Sequence, residues 1–248
     1  MRTSILVVPL LIAGCSYPKY VASKVVEYSV PAAGVSTMLC QTHNGGITVT
    51  GDGSTNQVEV RAELSVRGYS QAEADTNLHL LEVVREESDG TLHLFGKYPE
   101  FELSNRSPSF AFTLKVPQHL IVRLESHNGD LVVRGTRGKA NFETHNGSVD
   151  ATIESPDITT LTHNGDVRLC LTGDGALNGE VTSHNGSIEL SLAEGMGTML
   201  DAQTHNGRIT PPAKIMDATA TESSLRGRLG DGTGAFKITT HNGNVQFR

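Results

Sequence analysis

The tripeptide His-Asn-Gly occurs seven times in this chain of 248 residues. Each copy follows Thr or Ser, and the third residue after the Asn is always Ile, Val or Leu. A catalytic centre needs its residues once, so a motif in seven copies predicts repeating architecture. Successive copies are 84, 18, 18, 21, 21 and 36 residues apart. They begin at His43, His127, His145, His163, His184, His205 and His241.

The residues around each motif alternate as they would in strands. Positions four before, three after and five after the Asn are mostly apolar, as Phe142, Val149 and Ala151 are around Asn146, and the last of these columns includes Pro211. A period of two then puts the apolar, Thr and Asn positions inside and the His position outside. The phase changes at the Gly, which we expect to supply the positive φ of a corner or bulge. The predicted structural residues are Asn44, Gly45, Asn128, Gly129, Asn146, Gly147, Asn164, Gly165, Asn185, Gly186, Asn206, Gly207, Asn242 and Gly243.

Equivalent positions every 18 to 21 residues predict an all-β fold, a β-solenoid or β-helix-like stack in which each rung lies on the previous one. Rungs would lie about 4.8 Å apart. Inward Asn amides would then bond from rung to rung as a ladder. A degenerate copy is expected within Ser224–Leu229. An antiparallel meander with Asn-Gly type I′ turns is the alternative, but the apolar columns continue past the Gly and favour the solenoid.

The N-terminus predicts the destination of the protein. Arg2 precedes the short apolar run Ile5–Ile12, and Ile12-Ala13-Gly14-Cys15 resembles the lipobox of bacterial lipoprotein signal peptides. The run is too short to span a bilayer. We therefore predict a signal peptide over residues 1–14, lipidation of Cys15, and a tether over residues 15–24 that anchors the protein to the membrane. Ser16, and not Asp, follows Cys15, which predicts the outer membrane.

Composition limits the partners. Residues 1–14 contain one charged residue, Arg2, so their removal takes the formal net charge from −7 to −8. No basic footprint for nucleic acid remains. The chain has no Trp and only 5% aromatic residues, which weakens the case for a sugar-stacking groove. Cys40 and Cys170 remain after processing, and we expect two separate thiols with Cys40 buried.

Residues 25–120 are predicted to form an N-terminal β region, and residues 121–248 the His-Asn-Gly solenoid. One short helix is expected over residues 70–81. It follows from a capping box, Ser70 with Glu73 three residues later. Asp89-Gly90 then predicts a turn into the next strand.

The order of these segments resembles a known family. A strand, a Ser-capped acidic helix, Glu-Glu-Ser-Asp-Gly, Thr91-Leu92-His93-Leu94 and Phe112-Thr113-Leu114-Lys115-Val116-Pro117 precede the repeats. This pattern, over roughly residues 25–248, is similar to the bacterial β-strand-repeat family described as putative adhesins or as a domain of unknown function. The resemblance implies a β-helix-like fold and no established enzymatic activity or cofactor. Relatives often carry Ser or Val before Asn-Gly, whereas this chain carries His in every copy.

The favoured function is a non-enzymatic envelope protein, a scaffold or adhesin-like module that presents an extended face to an envelope or surface partner. Self-association through the open solenoid ends is also predicted, because an uncapped rung is an exposed edge.

Divalent metal binding by the outward histidines is an alternative. His127, His145 and His163 are the candidate ligands because their spacing is the most regular, and Glu125 and Glu143 lie beside the first two. A structural zinc site needs four ligands, and one straight column offers two neighbours.

A polysaccharide-active enzyme is the third hypothesis. Asp130 and Asp166 hold outward positions two residues after the Asn, about 10 Å apart across one intervening rung. That separation is wide even for an inverting glycosidase, so no catalytic residue is assigned.

Overall fold

The computed structural model describes residues 17–248. The predicted signal peptide and the predicted lipidation site Cys15 lie outside the described residues. The first elements are β1 (Tyr20–Pro31), β2 (Thr37–Asn44), β3 (Ile47–Asp52), β4 (Gln57–Gly68), α1 (Gln71–Leu78), β5 (Glu82–Ser88), β6 (Thr91–Lys97), α2 (Glu100–Leu103), β7 (Ser109–Pro117), β8 (Ile121–Asn128) and β9 (Leu131–Arg134). They are followed by β10 (Ala140–Asn146), β11 (Val149–Ile153), β12 (Asp157–Asn164), β13 (Val167–Leu171), β14 (Gly175–Ala176), β15 (Asn178–Asn185) and β16 (Ile188–Leu192). The last strands are β17 (Met196–Asn206), β18 (Ile209–Thr210), β19 (Met216–Ala220), β20 (Ser224–Leu229), β21 (Ala235–Asn242) and β22 (Val245–Phe247).

The described chain is all-β apart from the two short helices, and its strands form two open sheets. One cluster of buried side chains, drawn from both sheets, is the core. The ten-stranded sheet has the order β1-β4-β7-β3-β9-β11-β13-β16-β22-β18. The twelve-stranded sheet has the path β19-β20-β17-β21-β15-β12-β10-β8-β2-β6-β5, with β14 beside β17. Both sheets run without a break from the predicted N-terminal region into the repeats.

Each His-Asn-Gly copy forms a corner between the sheets. In the copy at His145, β10 lies in the twelve-stranded sheet and β11 in the ten-stranded sheet. Strands of neighbouring copies pair in parallel and in register, so that Asn146 is level with Asn128 and Asn164. Parallel pairing agrees with the solenoid-like prediction and excludes hairpin turns at these corners, because a two-residue hairpin joins antiparallel strands.

The interior columns follow the predicted parity. The residues four before and three after each Asn are buried in all seven copies. The predicted column five after the Asn is buried except at Pro211, which is exposed because β18 ends at Thr210. Inclusion of Pro211 in the core was therefore wrong.

The copies are not stacked in chain order. The last copy, with β21 and β22, lies between the fifth and sixth copies in both sheets. The segment expected to hold a degenerate copy is instead β20, which pairs antiparallel with β17. β20 pairs with one edge of β17, the strand of the sixth copy. The next strand, β21, therefore pairs with the other edge of β17, between the sixth and fifth copies.

The long interval after the first copy forms the N-terminal end of the stack. There β4 is antiparallel to both β1 and β7, while β6 adds to β2 in parallel and β5 closes the edge. Inside the range predicted to be helical, α1 spans Gln71–Leu78. The Ser70 hydroxyl accepts from the Glu73 N–H at 3.2 Å, and the Glu73 carboxylate accepts from the Tyr69 N–H at 2.8 Å.

Candidate functional site

The Thr or Ser of each motif points into the core, as predicted, and has a hydrogen-bonding role there. Thr144 Oγ1 donates to the Gly129 carbonyl at 3.0 Å, and Thr162 Oγ1 donates to the Gly147 carbonyl at 2.9 Å. The same bond to a neighbouring rung's Gly recurs in every copy except the first, where Thr42 donates to the Phe110 carbonyl. A buried hydroxyl and a corner carbonyl are thereby satisfied together.

The Asn side chains form the predicted ladder, but outside the core. Asn146 Nδ2 donates to Asn128 Oδ1 at 2.8 Å, and Asn164 Nδ2 donates to Asn146 Oδ1 at 2.8 Å. The ladder passes through all seven copies, in the order Asn44, Asn128, Asn146, Asn164, Asn185, Asn242 and Asn206. The first two are half-buried and the rest exposed, so the inward placement was wrong. Each Asn ends its strand, where the backbone turns and strict alternation stops.

The seven motif glycines are needed mainly because the corners pack closely, and not because the backbone there has a positive φ. The left-handed region is occupied only at Gly45 (φ 126°) and Gly243 (φ 157°) among the seven. At Gly147 an added Cβ would lie 2.1 Å from the Gly129 carbonyl oxygen. The corners stack so closely that no side chain fits between them, which corrects the expectation of positive φ in every copy.

The His side chains lie on the outer face of the twelve-stranded sheet, as predicted, and all seven are exposed. Their rings follow one another from rung to rung, stacked in four of the six contacts and tilted in the two that His163 makes. Ring centroids are 4.7 Å apart between His43 and His127 and between His127 and His145, with the planes within 4° of parallel. The widest gap, between His163 and His184, is 5.5 Å. We call this column the histidine face.

A shallow groove of about 480 Å³ runs beside the first four histidines. Its other lining residues include Phe95, Glu125, Glu143 and Leu161. Gln41 also lines the groove and donates from Nε2 to Glu125. The groove therefore combines imidazole edges, two carboxylates and a limited apolar surface.

The three candidate metal ligands lie together but do not converge. The rings of His127 and His145 are 3° from parallel, so their in-plane lone pairs lie in parallel planes and do not meet at a shared ion. His163 is tilted by 39° against His145. Within residues 17–248, no three His, Cys, Asp or Glu side chains are grouped to hold one metal ion. The geometry does not favour the metal hypothesis.

The two Asp candidates for catalysis are engaged by backbone. Asp130 Oδ1 accepts from the Ser148 N–H at 2.7 Å, and Asp166 Oδ1 accepts from the Ser187 N–H at 2.8 Å. Each carboxylate thus links its corner to the next rung. This is a structural role that the sequence pattern did not indicate.

Cys40 and Cys170 are free thiols, as expected. Cys40 is buried, and burial raises the pKa of its thiol well above the ordinary range. Cys170 is half-buried on the other sheet. Across the described residues, no helix has the length and apolar character needed to cross a membrane.

The fold and the repeated corner together define a class of protein, an all-β, solenoid-like repeat protein. The chain belongs to the Toastrack DUF4097 family, whose model matches residues 25–248. The family resemblance seen in the sequence is therefore confirmed.

A solved structure shares this fold. A putative cell adhesion protein from Clostridium sporogenes is similar over 91% of this chain and 99% of its own, with 11% identity and a TM-score of 0.54. A putative adhesin from Bacteroides fragilis aligns with 91% of this chain and 97% of its own, at 11% identity and a TM-score of 0.33. No curated protein matches the chain.

Proposed function

We propose that this protein is a non-enzymatic, adhesin-like interaction module of the bacterial cell envelope, anchored by a lipid on Cys15. The lipobox-like residues before Cys15 support the anchor, and Ser16 after it supports the outer membrane as its location. The structural likeness to a protein named as a putative cell adhesion protein supports an adhesin-like role. The partner is an envelope or surface component.

The observation that carries the proposal is the histidine face. Seven exposed imidazoles follow one another across seven neighbouring strands, a length of roughly 30 Å at about 4.8 Å per strand. Every ring edge offers a hydrogen-bonding nitrogen to solvent. A solenoid binds partners along such an extended surface. The groove beside His127 and His145 is a concave part of that surface.

The anchor is tested by Cys15→Ser in the producing bacterium. We expect the wild-type protein in the membrane fraction with an acyl group on Cys15 by mass spectrometry. The variant should lack the acyl group. An unmodified Cys15 in the wild-type protein would refute the anchor without affecting the histidine face.

The interaction surface is tested by a matched pair of double variants. The first changes His127→Ser and His145→Ser, at the centre of the groove. The control changes His79→Ser and His119→Ser, which are exposed and outside the column. Binding of each labelled protein to envelope fragments is measured by co-sedimentation. We expect roughly tenfold weaker binding for the first variant, since central interface side chains contribute on this scale. Equal binding by both variants would refute the assignment of this face.

A further inference from the structure

The exposed aromatic side chains all lie at one end of the described molecule. The chain has seven Phe, five Tyr and no Trp. Most of these rings are buried or half-buried. Only four are more than a third exposed: Tyr17 (69%), Tyr20 (39%), Tyr69 (42%) and Phe101 (92%). We call these four the aromatic end.

Backbone pairing and side-chain contacts hold this group together. Tyr20 begins β1 and pairs with Gly68, so Tyr69 follows directly beside it. Phe101 lies in α2, in the connection between β6 and β7. That connection is bound to the end of β4, because the Arg67 N–H donates to the Arg106 carbonyl at 2.8 Å. The Arg106 guanidinium lies 4.5 Å from the centre of the Tyr69 ring.

Phe101 has no packing role in the described chain. Its helix is anchored by Leu103, which is 1% exposed, whereas the Phe101 ring is left in water. A solvent-exposed apolar group of this kind is typical of a surface that binds a partner or a membrane.

The proposed anchor places this end beside the bilayer. Tyr20 is five residues after Cys15, and an extended chain spans at most about 3.6 Å per residue. A lipid on Cys15 therefore keeps Tyr20 within roughly 18 Å of the membrane surface. No other group of exposed aromatic side chains in residues 17–248 competes for that position.

We infer that the aromatic end docks on the lipid bilayer, with Phe101 inserted among the acyl chains and the tyrosines at headgroup level. Tyr is enriched at membrane interfaces because its ring is apolar and its hydroxyl is polar. The inference rests on the proposed anchor for its geometry. Its consequence is an oriented molecule, in which the His43 end of the histidine face lies nearest the membrane and the His205 end farthest.

Charge gives little help to this docking. Lys19 lies 5.4 Å from the centre of the Tyr20 ring, and Arg106 covers Tyr69, but Glu100 and Glu102 flank Phe101. The surface is mixed in sign, so burial of the rings supplies the attraction. We therefore expect docking on zwitterionic phosphatidylcholine and little dependence on salt.

The absence of Trp allows a direct test. Phe101→Trp introduces a single indole at a position that is 92% exposed, so the fold is preserved. Met199→Trp is the control, at a site on β17 that is 51% exposed and lies toward the other end of the twelve-stranded sheet. Each mature lipidated protein is reconstituted into phosphatidylcholine vesicles with or without bromine on the acyl chains. Tryptophan fluorescence then reports contact with those chains.

We expect a blue-shifted emission and roughly twofold quenching by brominated lipid for F101W, and neither for M199W. An unquenched F101W in a protein that carries its acyl group would overturn docking while leaving the anchor intact. A blue shift without quenching that grows with protein concentration would mean contact between copies, and would also overturn it. If Cys15 carries no acyl group, the anchor fails, and quenching of F101W by added vesicles still decides whether this end binds lipid.

Discussion

The central rungs (121–192) and the N-terminal end (20–31 and 57–117) differ in how their strands pair. In the rungs every strand of a His-Asn-Gly copy pairs in parallel with the equivalent strand of the neighbouring copy. At the N-terminal end β1, β4 and β7 are antiparallel, and α1 packs against β1 and β4. The repeated corner extends a stack, but each added rung leaves a new unpaired edge. A different kind of pairing is therefore needed where the stack ends.

The edges themselves show this difference. β5, at the edge of the twelve-stranded sheet, carries Glu82, Arg85, Glu86 and Glu87. Charged side chains on an edge strand oppose pairing with another molecule. At the other end, β19 is exposed along its whole length. Self-association through the solenoid ends stays a prediction. The contrast between the charged strand β5 and the exposed strand β19 favours the β19 end as its site.

Core substitution in a rung has the largest expected effect. Phe142 is fully buried in β10, whereas Phe101 at the N-terminal end is 92% exposed. We expect Phe142→Ala to lower the free energy of unfolding by about 3–5 kcal/mol because it leaves a cavity. Phe101→Ala should change it by less than about 0.5 kcal/mol. Urea unfolding of both variants measures the difference, and similar losses would contradict the assigned core.

Substitution of a corner glycine has the second largest expected effect on stability. Gly147 has the neighbouring carbonyl oxygen 2.1 Å from a virtual Cβ, whereas Gly34, near the N-terminal end, has φ 83° and nothing within 4 Å. Gly147→Ala should lower the free energy of unfolding by about 1–3 kcal/mol through overpacking, and by more if the rungs must separate. Gly34→Ala should cost about 1 kcal/mol through backbone strain alone. Thermal unfolding compares the two variants, and a larger loss of stability for Gly34→Ala than for Gly147→Ala would contradict the close packing assigned to the corners.

The Asn ladder gives a smaller effect that depends on position. Asn164 both donates to Asn146 and accepts from Asn185, whereas Asn206 ends the ladder and donates to Asn242 alone. We expect Asn164→Ala to lower the free energy of unfolding by about 1 kcal/mol, and Asn206→Ala to lower it by about half of that. Equal losses in chemical denaturation would mean that the ladder bonds contribute no net stability.

The smallest effect concerns pH at the N-terminal end. The Tyr69 N–H and then Arg106 lower the pKa of Glu73 by hydrogen bonding to its carboxylate. A carboxyl with a lowered folded pKa stabilises the protein above its ordinary pKa of about 4.3, and this contribution is lost as pH falls through the folded value. Wild-type protein should therefore melt above Glu73→Gln at pH 6, and the gap should narrow by pH 3. A constant gap in melting temperature would contradict this role.

At each corner, the sequence predicted the side-chain direction correctly for residues inside the strand but not for the Asn that ends the strand. The positions of Thr144 and His145 follow from alternation, which the backbone imposes wherever it stays extended. Asn146 is the last residue of β10, so alternation no longer decides its direction. The hydrogen bonds of Asp130 and Asp166 to the next rung depend on stacking distance, and a single copy contains no signal for them.

The sequence by itself determined the parallel rungs, the buried and exposed columns, and the Ser70 cap of α1, because periodicity and capping act over a few residues. Only the tertiary structure decided that the seventh copy lies between the fifth and sixth. Asn185 and Asn242 are 57 residues apart and identical in motif to every other pair, so local chemistry cannot select them as neighbours. The choice depends on which strand edges stay open once β20 has paired with β17.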